Sequence, residues 1–262
     1  MTVRFRDRRI VVTGAGSGMG RAEALGLARE GADVRAADID PDAASAVVDE
    51  IIAEGGTARA HHLDVADPAA WQRFAAELGG DALHGLVNNA GVSFRKGIAE
   101  TSVEDWHRVV DINLSSVFYG MKFLAEPLAR AGGASVVNVS SIAGLLGYFS
   151  ASYGATKWGV RGLSKVASLE FAAAGIRVNS VHPGLVDTPL LHSGPDDRFV
   201  TESLRSVPAG RVASPEEVAR AVAFLLSDES SYVNGTELVV DGGLVGSGIY
   251  HRITTALAED AS

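Results

Sequence analysis

Tyr153 and Lys157 stand four residues apart in the run Ser152-Tyr-Gly-Ala-Thr-Lys-Trp158, and on a helix that spacing places a phenol and an ammonium on one face. Such a pair can turn a poor base into a useful one. A free phenol has a pKa of about 10 and is almost wholly protonated at neutral pH. A fixed cation nearby favours the phenolate and brings it toward the working range. The same spacing also describes a half-buried aromatic beside a solvated lysine, the common fate of both residue types. Its meaning therefore rests on the elements that position it.

Those elements alternate. Residues 9–13, 32–38, 58–64, 85–88, 135–140 and 177–182 read as short buried strands, with a seventh at 236–241. Several are continuously apolar, as both faces of a parallel sheet require. Alanine-rich helical stretches lie between them. Gly31 and Gly55 sit where helix C-termini place glycine, and Ser214-Pro-Glu-Glu217 reads as an N-cap followed by proline in the first turn. The alternation predicts an α/β chain with a doubly wound parallel sheet, helices on both faces and a ligand crevice at the carboxyl ends of the strands.

The first strand runs into Thr13-Gly-Ala-Gly-Ser-Gly-Met-Gly20 and then a helix, so backbone amides at a positively polarised helix start can cradle a pyrophosphate. Met19 stands where a strict G-x-G-x-x-G would need glycine; the pattern is Gly14-x3-Gly18-x-Gly20. The second strand ends in Asp38, 24 residues after Gly14, where a carboxylate can accept from both hydroxyls of an adenosine ribose and would repel a 2′-phosphate. Ser17 and Ile39 supply no compensating cation, so NAD is expected over NADP. The competing reading of Asp38 is a cap before Asp40-Pro41.

With Leu63-Asp64-Val65, Asn88-Asn-Ala-Gly91, Asp111-Ile-Asn113, Val139-Ser-Ser141 and Pro183-Gly-Leu-Val-Asp-Thr188 added in order, the chain resembles the short-chain dehydrogenases/reductases from about Arg9 to Gly243. Several stretches, among them Val181-His-Pro-Gly184, are similar to bacterial hydroxysteroid dehydrogenases of that family. The resemblance implies a Rossmann-like seven-stranded fold in one domain over 1–262 and a catalytic tetrad at Asn113, Ser141, Tyr153 and Lys157. It gives Tyr153 the proton transfer, Lys157 the nicotinamide ribose and the lowering of the phenol pKa, Ser141 the substrate oxygen, and Asn113 a water linking Lys157 to solvent. Ser140 is the rival to Ser141; alternation along a strand sends the two to opposite faces. The resemblance also assigns Gly14, Ser17, Gly18, Met19, Gly20, Asp38, Ile39, Asp64, Val65, Asn89, Ala90 and Gly91 to the cofactor, with Pro183, Gly184, Val186 and Thr188 at its nicotinamide end. Asn88 and Asn89 have a second reading as residues that satisfy backbone at a strand end. The interval from Ser141 to Tyr153 is 12 residues, one fewer than in many relatives, which bears on pocket shape.

The 262 residues are 47% hydrophobic, enough for one large core. The 23 basic and 32 acidic side chains leave a net charge of −9 and a pI near 5.2, which argues against nucleic acid or an anionic membrane as partner. The absence of cysteine excludes disulfide and thiolate chemistry. No stretch reads as a signal core or a membrane span, so the expectation is a cytoplasmic protein. His61, His62, His182 and His192 lack metal-ligand spacing, and no metal is expected. Residues 189–211 read as a mobile lid, with Leu190 and Leu191 facing a wall of Ser93, Phe94, Leu145, Tyr148 and Phe149. That pocket suits a hydrophobic secondary alcohol or ketone, steroid-like in size at its upper limit. Trp106 and Trp158 are expected in the core or in subunit contacts. Two apolar-faced helices, 106–125 and 152–174, together with the resemblance, predict a homotetramer. The alternatives are a ketoreductase of other carbonyl compounds and a non-catalytic nucleotide-binding redox sensor.

Overall fold

The computed structural model describes residues 3–194 and 196–259; Pro195, in the expected lid, lies outside them. Seven strands, β1 (Arg9–Thr13), β2 (Asp33–Asp38), β3 (Thr57–His62), β4 (Gly85–Asn88), β5 (Ser135–Val139), β6 (Arg177–Pro183) and β7 (Glu237–Val240), form one sheet in the order β3-β2-β1-β4-β5-β6-β7. Each adjacent pair is parallel. The expected strands are found within a few residues of their boundaries. The third stops at His62, which releases Leu63, Asp64 and Val65 toward the crevice.

Alternate residues of the strands feed two cores. Ile10, Val12, Val34, Ala36, Val87 and Val137 face α1 (Gly18–Arg29), α2 (Pro41–Ala53) and α8 (Pro215–Leu226). Val11, Ala37, Leu86 and Val136 face α3 (Pro68–Glu77), α5 (Ser116–Arg130) and α6 (Ala151–Glu170). The alternation of side chains along a strand is the physical basis of this division. The winding reverses between β1 and β4, where a crevice opens at the strands' carboxyl ends. The remaining helices are α4 (Val103–Val110), α7 (Arg198–Leu204) and α9 (Leu244–Glu259).

Two elements depart from expectation. The helix expected over 106–125 is α4 and α5 joined through a π-turn at Asp111–Ser115 that contains Asn113. The lid carries α7, and its ends are pinned together by a bridge between Val186 and Ala213. Gly31 and Gly55 follow α1 and α2 as expected, and Pro215 opens α8 after Ser214.

Glu23 on α1 was not legible as a core residue. It is buried, and neither carboxylate oxygen has a hydrogen-bond partner among the described residues. Burial pushes its pKa up to about 8, since an ion in an apolar setting loses its hydration. The folded chain thus holds a proton that the unfolded chain releases near pH 4.5, and stability is lost as pH rises between those values, by at most about 1.4 kcal/mol per pH unit. Glu23→Gln is expected to flatten the fall in Tm between pH 5.5 and 8.5; calorimetry showing parallel curves for the two proteins refutes this.

Candidate active site

The crevice begins at the turn from β1 to α1. Gly14 and Gly18 adopt φ values of 64° and 52°, a region that costs other residues energy. A side chain at Gly14 would press on the Ala90 backbone at 3.0 Å, and one at Gly18 on Thr188 at 3.3 Å. Gly20 is inside: a β-carbon there would collide with the Gly14 carbonyl and the Asn89 amide. Its place among the expected cofactor residues is therefore one of close packing, behind the crevice wall. The turn is tied to β4 by Thr13, whose hydroxyl accepts from the amides of Asn89 (3.0 Å) and Ala90 (3.1 Å). The Asn89 side chain donates to the Thr13 carbonyl at 2.9 Å. It thus satisfies backbone, the second of the two readings above, while the residue still borders the crevice. Asn88 is buried and donates to Asn138 at 2.8 Å.

A cavity of about 320 Å³ follows the carboxyl ends of the strands from this turn. Gly14, Ser17, Gly18, Met19, Asp38, Ile39, Asp64, Val65, Asn89, Ala90, Gly91, Tyr153, Lys157 and Thr188 all line it. Pro183, Gly184 and Val186 border the adjoining cavity instead. Asp38 accepts from the amides of Gly16 (2.8 Å) and Asp40 (3.0 Å), one on each oxygen, and each oxygen keeps a further lone pair. The helix cap is Asp40, which accepts from Asp42 and Ala43; the capping reading of Asp38 is excluded. A bare-backbone cradle at a helix start, with a carboxylate at the end of the next strand, fits a dinucleotide. Bound there, a nicotinamide nucleotide would supply the two-electron acceptor and donor that these side chains lack.

Tyr153 and Lys157 lie on α6 with the lysine Nζ 5.6 Å from the phenol ring centre. Lys157 is buried and Tyr153 half-buried in the crevice wall. Burial pushes the lysine down to about 8, and its Nζ donates to the Val139 carbonyl at 2.9 Å. Burial also pushes the Tyr153 phenol above its ordinary value, against the opposing pull of the Ser141 hydroxyl and the Arg95 charge. The expected lowering of the phenol by Lys157 is not the arrangement found: the ammonium lies 5.6 Å from the ring centre and is tethered to the Val139 carbonyl, and the groups that oppose burial at the phenol are Ser141 and Arg95. Asn113 differs likewise. Its amide clasps Val92, accepting from the backbone N–H at 2.8 Å and donating to the carbonyl at 2.9 Å, a tie the sequence did not show, and one lone pair and one N–H of the amide remain for a further partner.

Ser141 accepts from the Ala143 amide at 3.1 Å and turns its hydroxyl to Tyr153. Ser140 instead donates to the Lys157 carbonyl at 2.8 Å, which separates the two serines as the alternation argument required. His182, which the sequence left without a role, is buried with Nδ1 3.0 Å from the Ser141 carbonyl and Nε2 2.9 Å from the Ser180 hydroxyl. A carbonyl can only accept, so Nδ1 carries the proton and Nε2 accepts from Ser180. Burial holds this histidine below its usual pKa. It thereby fixes the backbone that carries Ser141.

Beyond the phenol a second cavity of about 100 Å³ is lined by Ser93, Ser141, Tyr148, Leu190 and Leu191, as expected. Met19, Ser140, Tyr153, Thr188 and Leu190 border both cavities and mark their junction. Three expected wall residues do not line it. Phe94 lies against the cations of Lys96 and Arg108, Phe149 packs outside on Tyr148 and Phe199, and Leu145 is half-buried at the end of a short 3₁₀ turn. Leu185, Phe199 and Arg95 take their place. Arg95 donates to the Leu191 carbonyl at 2.8 Å and sits 4.6 Å over the Phe199 ring. A charged residue in a loop reads from sequence as solvated, and the lid that covers it is remote in the chain. Among the described residues no acid, histidine or cysteine cluster is arranged to hold a metal, and no helix is long and apolar enough to cross a membrane.

A family model described as enoyl-(acyl carrier protein) reductase matches residues 14–245. Cyclohexanol dehydrogenase of Acinetobacter sp. (strain SE19) is 46% identical over 247 residues, covering 92% of this chain and 96% of that protein. The 3-alpha-(or 20-beta)-hydroxysteroid dehydrogenase of Mycobacterium tuberculosis (strain ATCC 25618 / H37Rv) is 42% identical over 257 residues, with 96% and 94% covered. Among solved structures, a putative NAD(P)-dependent gluconate 5-dehydrogenase from Beutenbergia cavernae with bound NADP superposes with a TM-score of 0.90 at 37% identity, covering 94% of this chain and all of that one. Glycine cradle, acid-terminated second strand and the grouping of Ser141, Tyr153 and Lys157 agree with these likenesses, and the chain belongs to the short-chain dehydrogenase/reductase family of oxidoreductases.

Proposed function

We propose that the chain is an NAD(H)-dependent dehydrogenase interconverting a small, largely apolar cyclic secondary alcohol and its ketone. One observation carries the reading. The Tyr153 phenol and the Ser141 hydroxyl meet where the dinucleotide cavity joins a second, mainly apolar cavity, so an alcohol carbon placed there faces both a proton-transfer group and the nicotinamide end of the cradle. Ser141 orients the substrate oxygen and Tyr153 exchanges its proton with that oxygen. Lys157, held by the Val139 carbonyl, offers its remaining N–H groups to the cofactor ribose, and positive charge gained there favours the phenolate. A cavity of about 100 Å³ encloses a monocyclic ring, and a steroid would require the lid to move outward. Relatives named for cyclohexanol and cyclopentanol support the smaller class. The convergence of three reactive side chains favours turnover over a non-catalytic sensing role.

Asp38 supports NAD over NADP, because a 2′-phosphate would meet a carboxylate already fixed by two backbone amides. Oligomer formation is supported by apolar side chains left exposed on the long helices, Phe118 on α5 and Trp158, Val166 and Leu169 on α6, since closed assemblies cover such faces.

Three measurements test these assignments. Tyr153→Phe keeps the ring and removes the proton-transfer oxygen, so kcat on cyclohexanol should fall ~10²–10⁴-fold while the Kd for NADH stays nearly constant; retention of most activity means that another group is the base. Fluorescence titration should show NADH binding tighter than NADPH, with Asp38→Ala narrowing the gap, and the reverse order in the unaltered protein removes the NAD assignment. Light scattering at micromolar concentration should return a tetramer or at least a dimer; a monomer contradicts the proposal.

A further inference from the structure

Arg95 is the one charged side chain among the residues lining the substrate-side cavity, whose other walls are apolar, hydroxylic or backbone. The side chain is half-buried, and a buried donor on a cation is costly unless an anion or another acceptor compensates it. Among the described residues it forms no ion pair. The acids of the lid and just before it are engaged elsewhere, Asp187 and Asp197 on His192, Asp196 on Arg198 and Glu202 on Arg205. What Arg95 does have is the Leu191 carbonyl and the face of Phe199, with Tyr148 beside it in the cavity wall. Its Nε is buried and has no acceptor among the described residues. The guanidinium is thus held in place by two residues of the lid, with donor capacity to spare.

We infer that Arg95 receives a carboxylate carried by the substrate, so that the ring alcohol oxidised beside Tyr153 is a hydroxy acid whose carboxylate is remote from the carbinol. The inference rests on the secondary-alcohol reading above and specifies its substrate class. A planar fork already oriented by Leu191 and Phe199 loses little freedom on meeting a carboxylate. A carboxylate there would also cross-link the lid to the wall, because Arg95 touches both. A neutral ring fills the same apolar space but leaves the cation uncompensated.

The test separates this inference from the function it specifies. With the protein saturated by NADH, titrate cyclohexanecarboxylate and its neutral counterpart cyclohexanecarboxamide calorimetrically against wild type, Arg95→Met and Arg95→Lys. The carboxylate is expected to bind about 10- to 100-fold tighter than the amide, the contribution of a charge-assisted hydrogen bond. Arg95→Met should reduce that ratio to within about threefold of unity, and Arg95→Lys should keep part of it. A ratio near unity in the wild type, no binding of either compound, an unchanged ratio in Arg95→Met, or an equal loss of both ligands there as expected of a lid strut alone, each overturns the inference. Oxidation of cyclohexanol and of 4-hydroxycyclohexanecarboxylate, each followed by NADH formation, reads the parent function separately. Failure with both beside an intact carboxylate preference sinks the alcohol-dehydrogenase reading and leaves the anion site standing; oxidation of cyclohexanol without the preference does the opposite.

Discussion

The reversal of winding between β1 and β4 is the constraint on which the remainder of the structure depends. α1 leaves for one face of the sheet and the helices after β4 leave for the other, so the last residues of the two strands have no helix above them. Their polar backbone must be satisfied locally. Thr13 and Asn89 do this across the gap, with the Thr13 hydroxyl accepting two amides of the β4 loop and the Asn89 amide returning to the Thr13 carbonyl. Fixing the gap in this way fixes its width. Gly14, Gly18 and Gly20 then follow as residues that let one backbone approach another closely, with Gly20 packed on the clamp and the other two forming the floor.

The catalytic end is assembled on the far side of the same gap by burial. Lys157 is carried inward by α6, and its ammonium is satisfied by a carbonyl at the end of β5. Ser140 caps the arrangement by donating to the Lys157 carbonyl, and a side chain at Gly144 would strike that carbonyl at 2.6 Å. The helix and the strand end are thereby locked together. This lock leaves Ser141 on the open side, with His182 holding its backbone from behind. The low polarity that results raises the phenol and depresses the ammonium, so charge entering or leaving the site shifts both groups strongly. Electrostatic control of Tyr153 is accordingly exerted by Ser141 and Arg95 against the effect of burial, from two separate segments of the chain.

Part of the second cavity's wall is made by a long segment between β6 and α8. The lid leaves the sheet after Val186 and returns at Ala213, pinned by one bridge. Between those points it closes on the body through Leu190, Leu191 and Phe199. Arg95 is where loop and lid meet, through one hydrogen bond and one cation–aromatic contact.

The strands, the glycine turn, Asp38 and the placing of Ser141, Tyr153 and Lys157 were legible in the sequence, because each obeys a local rule: apolar runs for buried strands, glycine where backbones must approach, fixed spacing on a helix. Alternation along the strand separated Ser141 from Ser140, and the family resemblance chose between them. Local rules could not show that Asn113 occupies a π-turn and spends its amide on Val92, since that depends on a loop 21 residues away meeting the helix. Neither could they show that Glu23 is buried without a partner, or that Lys157 is bound to a carbonyl 18 residues distant. Phe94 and Phe149 were placed in the substrate wall by hydrophobicity alone, whereas nearby cations and other rings hold them outside it. Arg95 was passed over because its charge implies solvent, and only the fold lays the lid against it and buries its Nε. What the sequence alone determined is the sheet, the cradle and the reacting side chains, because these are written in neighbouring residues. The tertiary structure decided which groups are buried together, because desolvation and charge depend on segments that meet only in the fold.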